Sequence, residues 1–253
     1  MSEEGERLIE EARAALREFE DLLYELRDYE RRRGEVLRMF STGQVTREVY
    51  EKLMGELRQK MVPLVRKYFE LKSRLKSMES QLNVLMTRLR VEVKTSSEFL
   101  FRLSYERDQR MRQLLNRAGG TLEDIQRALK SVRVERELRF LEVMLDSIQG
   151  EGIKAWRGVV REVVEEWSKA RFAYASKVGE IERQIESLHD SLRELEVRFL
   201  VGEFDRAEYE ARRAGLERKV GELQEQLERL QERLEDLDLV AARCRELLEG
   251  GSR

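Results

Sequence analysis

"FSTGQVTREVYE" (Phe40–Glu51) and "FLVGEFDRAEYE" (Phe199–Glu210) are one phrase written twice, 159 residues apart. Phe, Gly, Arg and a Tyr-Glu pair fall at matching places in both. Around the first copy, apolar residues recur at alternating spacings of four and three. Ala12, Ala15, Phe19, Leu22, Leu26 and Tyr29 lead into it; Met54, Leu57, Met61, Leu64, Tyr68, Leu71 and Leu75 lead away. Sustained 3-4 spacing is the seam of a coiled coil. Between the two runs the chain must stop one helix and start another. Gly43 suits the left-handed residue that closes a helix, and Thr46 suits the cap of the next. In the second copy Gly202 takes the stop and Asp205 the cap, with Glu208 three residues on as a capping-box acid. Val45 with Tyr50, and Phe204 with Tyr209, are spaced as hydrophobic staples.

Two helices joined by about five residues fold back antiparallel. The registers agree. With Phe40 opposite Tyr50, opposed residue numbers in the first hairpin add to 90 in every layer, pairing Leu26 with Leu64 and Phe19 with Leu71. With Phe199 opposite Tyr209 they add to 408, pairing Ile185 with Leu223, Ile181 with Leu227 and Leu188 with Val220. The phrase is therefore read as the tip of a helical hairpin, used twice. Charge supports the first pairing: residues 1–30 hold eleven acids against four arginines, and residues 58–94 hold ten basic residues against three glutamates.

The fold expected is all-α and elongated. A first coiled-coil hairpin spans 1–94 with its tip at 41–46. A helical middle region spans 95–152. A long helix and second hairpin span 153–253, with the tip at 200–205. Within the middle region, Gly119-Gly120 reads as a stop and Thr121, with Asp124, as a restart; Thr95–Ser97 read as caps. Pro63 should bend or split its helix, since it lacks an N–H and crowds the preceding turn. Arg33 and Arg213 interrupt the seams, where long stems can cover apolar surface while the charge stays wet.

Composition narrows function mainly by exclusion. The chain has 253 residues, 40% of them charged, with a formal net charge of -2 and one proline. Near-neutral charge gives no global pull toward nucleic acid or acidic membranes. Cys244 is the only cysteine, so no intrachain disulfide forms and a cytoplasmic setting is expected. No run of about 18 apolar residues is present to span a bilayer. His189, the only histidine, has no convergent partners in sequence and reads as an exposed helical residue; Cys244 sits at a seam position, where a free thiol behaves as a small apolar group. The glycine pairs lack the context of a phosphate-binding loop. No enzyme activity and no metal or cofactor is expected. Trp156 and Trp167, on one stripe of the long helix, are candidates for interaction, and self-association is expected from apolar residues one chain cannot bury. The basic arm 58–94 is the alternative, nucleic-acid-binding surface, although a solvated face accounts for it more simply. A stator or tether subunit is a further alternative. Membrane contact would be indirect, because the apolar stripes are claimed by the seams.

The tip "VRFLVGEFDRAEYEARRAGLE", with its echo "LRMFSTGQVTREVYEKLMGEL", resembles the Gly-Glu…Tyr hairpin turns of archaeal coiled-coil proteins, among them the helical region of CdvA-like, ESCRT-associated cell-division proteins. "LNVLMTRLRVEVKTSSEFL" is similar to the end of the long hairpin in ESCRT-III-type chains. The resemblance implies a filament-forming or recruiting protein at a division or remodelling site. It assigns no functional residue.

Overall fold

The computed structural model describes residues 2–99, 105–145 and 152–250. Six helices occupy them, with no strand among the described residues: α1 (Ser2–Ser41), α2 (Arg47–Phe99), α3 (Tyr105–Ser131), α4 (Val134–Leu145), α5 (Gly152–Leu200) and α6 (Arg206–Gly250). The fold is all-α. The chain divides into two compact units, one built from α1, α2, α3 and the end of α4, the other from most of α4 with α5 and α6. No helix among the described residues is long and apolar enough to cross a membrane.

The first unit is a hairpin with a third helix laid on part of it. α1 and α2 run antiparallel, with Phe40 stacked on Tyr50 at 4.4 Å. Phe19 stacks on Tyr68 at 5.4 Å, one seam position from the expected Leu71. Leu22, Leu26 and Leu71 are buried. Leu64 is only half-buried, and its neighbour Val65 is the fully buried residue. Toward the tip, Tyr29, Val36, Met54 and Leu57 are half-buried, as two helices alone leave one side of each seam residue in water.

Away from the tip burial deepens, because α3 covers a second stripe of the hairpin. Ile9, Leu16 and Leu23, outside the 3-4 seam, are buried there. The Arg13 Nε donates to Thr121 Oγ1 at 3.2 Å, Arg117 pairs with Glu10 at 2.9 Å, and the Gln126 amide donates to Glu79 at 2.9 Å. A Cβ on Gly5 would stand 3.1 Å from Leu114 and 3.4 Å from Leu85, so a glycine lets three helices meet closely. On the far edge of the seam Lys67 pairs with Glu18 at 2.8 Å, and that ammonium holds the Glu18 carboxyl below its ordinary range.

The second unit repeats the hairpin. Phe199 stacks on Tyr209 at 4.3 Å. Ile185, Leu188, Leu223 and Leu227 are half-buried along the seam, and Ile181 and Val220 are buried. Its core lies at the other end, around Val160, Val163, Trp167, Leu237, Val240, Ala241 and Cys244. The start of α4 is tied here. The Tyr174 hydroxyl donates to Glu135, and Arg139 reaches Asp236 at 3.1 Å.

Several expectations for the interior of the chain are corrected. The middle region is not a third unit: α3 joins the first hairpin and most of α4 the second. α3 runs unbroken through Gly119-Gly120. Flanking Leu114, Ala118, Leu122 and Ile125 are all buried, and that packing outweighs the roughly 1 kcal/mol per residue by which glycine disfavours helix. Thr121 is then a buried mid-helix hydroxyl, and Asp124 pairs with Arg127 at 3.2 Å instead of capping. The real break falls at 132–133, where no glycine or proline marks it. Thr95–Ser97 lie inside α2. Pro63 does not split that helix; it is exposed, so water can satisfy the carbonyl it leaves unbonded.

Candidate interaction site

Each tip closes by the same backbone device. The Gly43 N–H donates to Phe40 O at 3.0 Å and the Gln44 N–H to Met39 O at 2.8 Å; the equivalent bonds from Gly202 and Glu203 reach Phe199 O at 2.9 Å and Arg198 O at 3.0 Å. This paired 5→2 and 6→1 pattern requires a left-handed residue between helix and exit, and Gly43 and Gly202 have φ of 70° and 83°. The restart follows at once. The Val49 N–H reaches Thr46 Oγ1 at 3.4 Å, and the Glu208 N–H reaches Asp205 Oδ1 at a tighter 2.8 Å. The Glu208 carboxylate does not complete a capping box; it pairs with Arg212 at 2.5 Å. Both tyrosines stack across the hairpin on phenylalanine, as the facing pairs Phe40–Tyr50 and Phe199–Tyr209.

The surfaces of the two tips differ. In the first, Ser41 and Thr42 turn their hydroxyls back onto the Arg38 carbonyl, each at 2.9 Å. In the second, Leu200 and Val201 stand in the corresponding positions, 76% and 75% exposed, and Val197, which stands where the first tip has Arg38, is exposed as well. Phe204 beside them has the Arg198 guanidinium 5.4 Å and the Arg212 guanidinium 4.2 Å from its ring centroid. Arg198 is fixed by Glu203 at 2.5 Å. That bond raises the Arg198 pKa and lowers that of Glu203, so the pair is charged throughout the physiological range. A cation–ring stack and a paired carboxylate thus brace the second tip while three aliphatic side chains face water.

Compared with protein-family models, curated proteins and solved structures, the chain matches none.

Other candidates fall elsewhere. Trp167 is fully buried and its indole N–H donates to Asp238 at 3.0 Å, so it belongs to the core of the second unit and offers no free surface. Trp156 is half-buried. Cys244 is fully buried, and that burial pushes its thiol up to about 11 against the opposing pull of Arg243 and Arg245. His189 is exposed beside an open groove with Tyr209, Arg213 and Glu217, and Arg213 is held by Glu217 at 2.8 Å. Among the described residues no group of His, Cys, Asp and Glu is placed to hold a metal ion. Val197, Leu200 and Val201 were not singled out from sequence. Their signal was available: in "VRFLVG" three of the four large apolar residues have no place in the seam spacing that claims Phe199.

Proposed function

We propose that this protein is a non-enzymatic coiled-coil scaffold that assembles with other proteins through its hairpin tips and helix faces. The observation that carries the reading is the second tip, where a braced turn presents Val197, Leu200 and Val201 to solvent. Exposed aliphatic residues on a rigid support are what a binding partner covers at low ordering cost. The first tip has the same turn without those residues, so the turn itself does not demand them. The resemblance to archaeal coiled-coil division proteins makes a division or membrane-remodelling assembly the process to examine first.

The test uses the full chain as bait in cells, with cross-linking and mass spectrometry, against a Leu200→Ser/Val201→Ser variant. Loss of a defined set of neighbours in the variant, with helicity unchanged, is expected. Identical neighbours for both chains overturn the role of the tip. A nucleic-acid role for the basic arm competes, because Arg66, Arg74, Arg88 and Arg90 have no ion-pair partner among the described residues. Its mark would be binding that falls steeply with salt.

A further inference from the structure

The first hairpin has two flanks, and α3 covers one. Leu114 beside Gly5, Arg117 on Glu10 and Gln126 on Glu79 place α3 on that side of the seam. On the other flank α1 carries Glu4, Glu11, Glu18 and Glu25, and α2 carries Lys60, Lys67, Arg74 and Arg88, each row in steps of seven or, across Gln81, fourteen residues. Seven residues is two helical turns, so each row keeps to one edge of its helix. The Glu18–Lys67 pair at 2.8 Å marks where the two rows meet. Glu4 and Arg88 have no ion-pair partner among the described residues, while Glu25 acts on Lys67 and Arg74 on Glu18 through charge without a direct ion pair. At the end of this flank opens a groove of about 420 Å³ lined by Leu8, Val84, Leu85 and Leu89, with Glu4 and Arg88 at its rim. Val84 is 51% exposed, and Leu8 and Leu85 are half-buried.

We infer that this flank docks a second copy of the chain, with the twofold axis running along the hairpin. Charge selects the occupant and the orientation. A twofold along the hairpin lays α1 of each copy over α2 of the other at the same level. The glutamate row then rests on the Lys/Arg row twice, and Leu8, Val84 and Leu85 of both copies fill the groove. A twofold across the hairpin would lay glutamates on glutamates and bases on bases, which like-charge repulsion opposes. The result is a four-helix packing of two hairpins, the arrangement in which an open two-helix face is closed. This rests on the scaffold reading and names the surface through which it self-associates.

The test is light scattering on the full chain across concentration, with three variants changed only at exposed positions: Val84→Glu, Glu4→Lys/Glu11→Lys, and Arg74→Glu/Arg88→Glu. The wild type is expected at twice the 30.1 kDa chain mass. Each variant should keep its helicity and dissociate at concentrations roughly a hundredfold higher. Mixing the two charge-reversed variants should restore the dimer, since each then offers what the other's rows require. A wild type that stays at the chain mass overturns the inference, as does a dimer that Val84→Glu leaves at full strength. The Leu200→Ser/Val201→Ser chain should dimerise normally, so a failure of this flank and a failure of the tip are read separately.

Discussion

Gly202 and Gly43 are the two glycines with positive φ among the described residues, with nothing within 4 Å of the position a Cβ would take. The cost of a side chain there is conformational, not steric. Gly202→Ala should destabilise the second hairpin by about 1–2 kcal/mol, read as a lower urea midpoint with an unchanged slope. An alanine chain as stable as wild type would show that the turn had changed. These glycines, the Thr46 and Asp205 caps and the Phe–Tyr facing pairs were legible because each follows from chemistry within ten residues. Trp167 was legible as apolar but not as buried, since its cover comes from Leu237–Cys244 some seventy residues on. Cys244 lies in that cover. Its thiol pKa stands at about 11 against an ordinary 9.0. A group whose proton is held more tightly in the folded state gives stability that is complete below the unfolded value and is lost as pH rises toward the folded one. Between pH 8 and 10.5 the wild type should lose about 2 kcal/mol more than Cys244→Ala, measured by urea unfolding. Parallel losses in the two chains would rule out a buried thiol.

At the scale of the element, seam spacing located α1, α2, α5 and α6 because the stripe by which each pairs within its hairpin keeps one 3-4 rhythm from the tip onward, and the second stripe that α3 covers on α1 lies beside it without breaking that rhythm. α3 and α4 were harder. Their apolar residues meet more than one neighbour, so periodicity blurs, and tertiary packing carries α3 through two glycines that would end an isolated helix. The break at 132–133 has no local cause in composition. Leu223 tests the plain case. It lies at an expected seam position of α6 and is half-buried, as is Ile185, its expected partner. Leu223→Asp removes apolar contact and places a charge in the stripe, an effect of roughly 2–4 kcal/mol. The expected result is a loss of helicity at 222 nm from the second hairpin, or its melting well below that of wild type. A chain with the same spectrum and the same midpoint would mean that α6 packs with a different face toward α5.

For the molecule as a whole, the informative fact is that two hairpins of similar construction have separate cores. One lies around Phe19, Tyr68, Leu75 and Leu82; the other lies around Val163, Trp167, Leu237 and Cys244. A repeat visible in the sequence as two tips thus becomes two compact units, each able to cooperate internally. Two cores within one chain break the all-or-none behaviour of a single small domain. Thermal unfolding followed at 222 nm should therefore show two transitions. Phe19→Ala removes a ring from the first core and Trp167→Ala an indole from the second, each at about 3–5 kcal/mol. Phe19→Ala should lower one transition and leave the other in place, and Trp167→Ala should do the reverse. Indole fluorescence assigns the second transition directly, because both tryptophans lie on α5. If either substitution moved both transitions together by the same amount, the two hairpins would unfold as one cooperative body, and two separately cooperating cores would have to be given up.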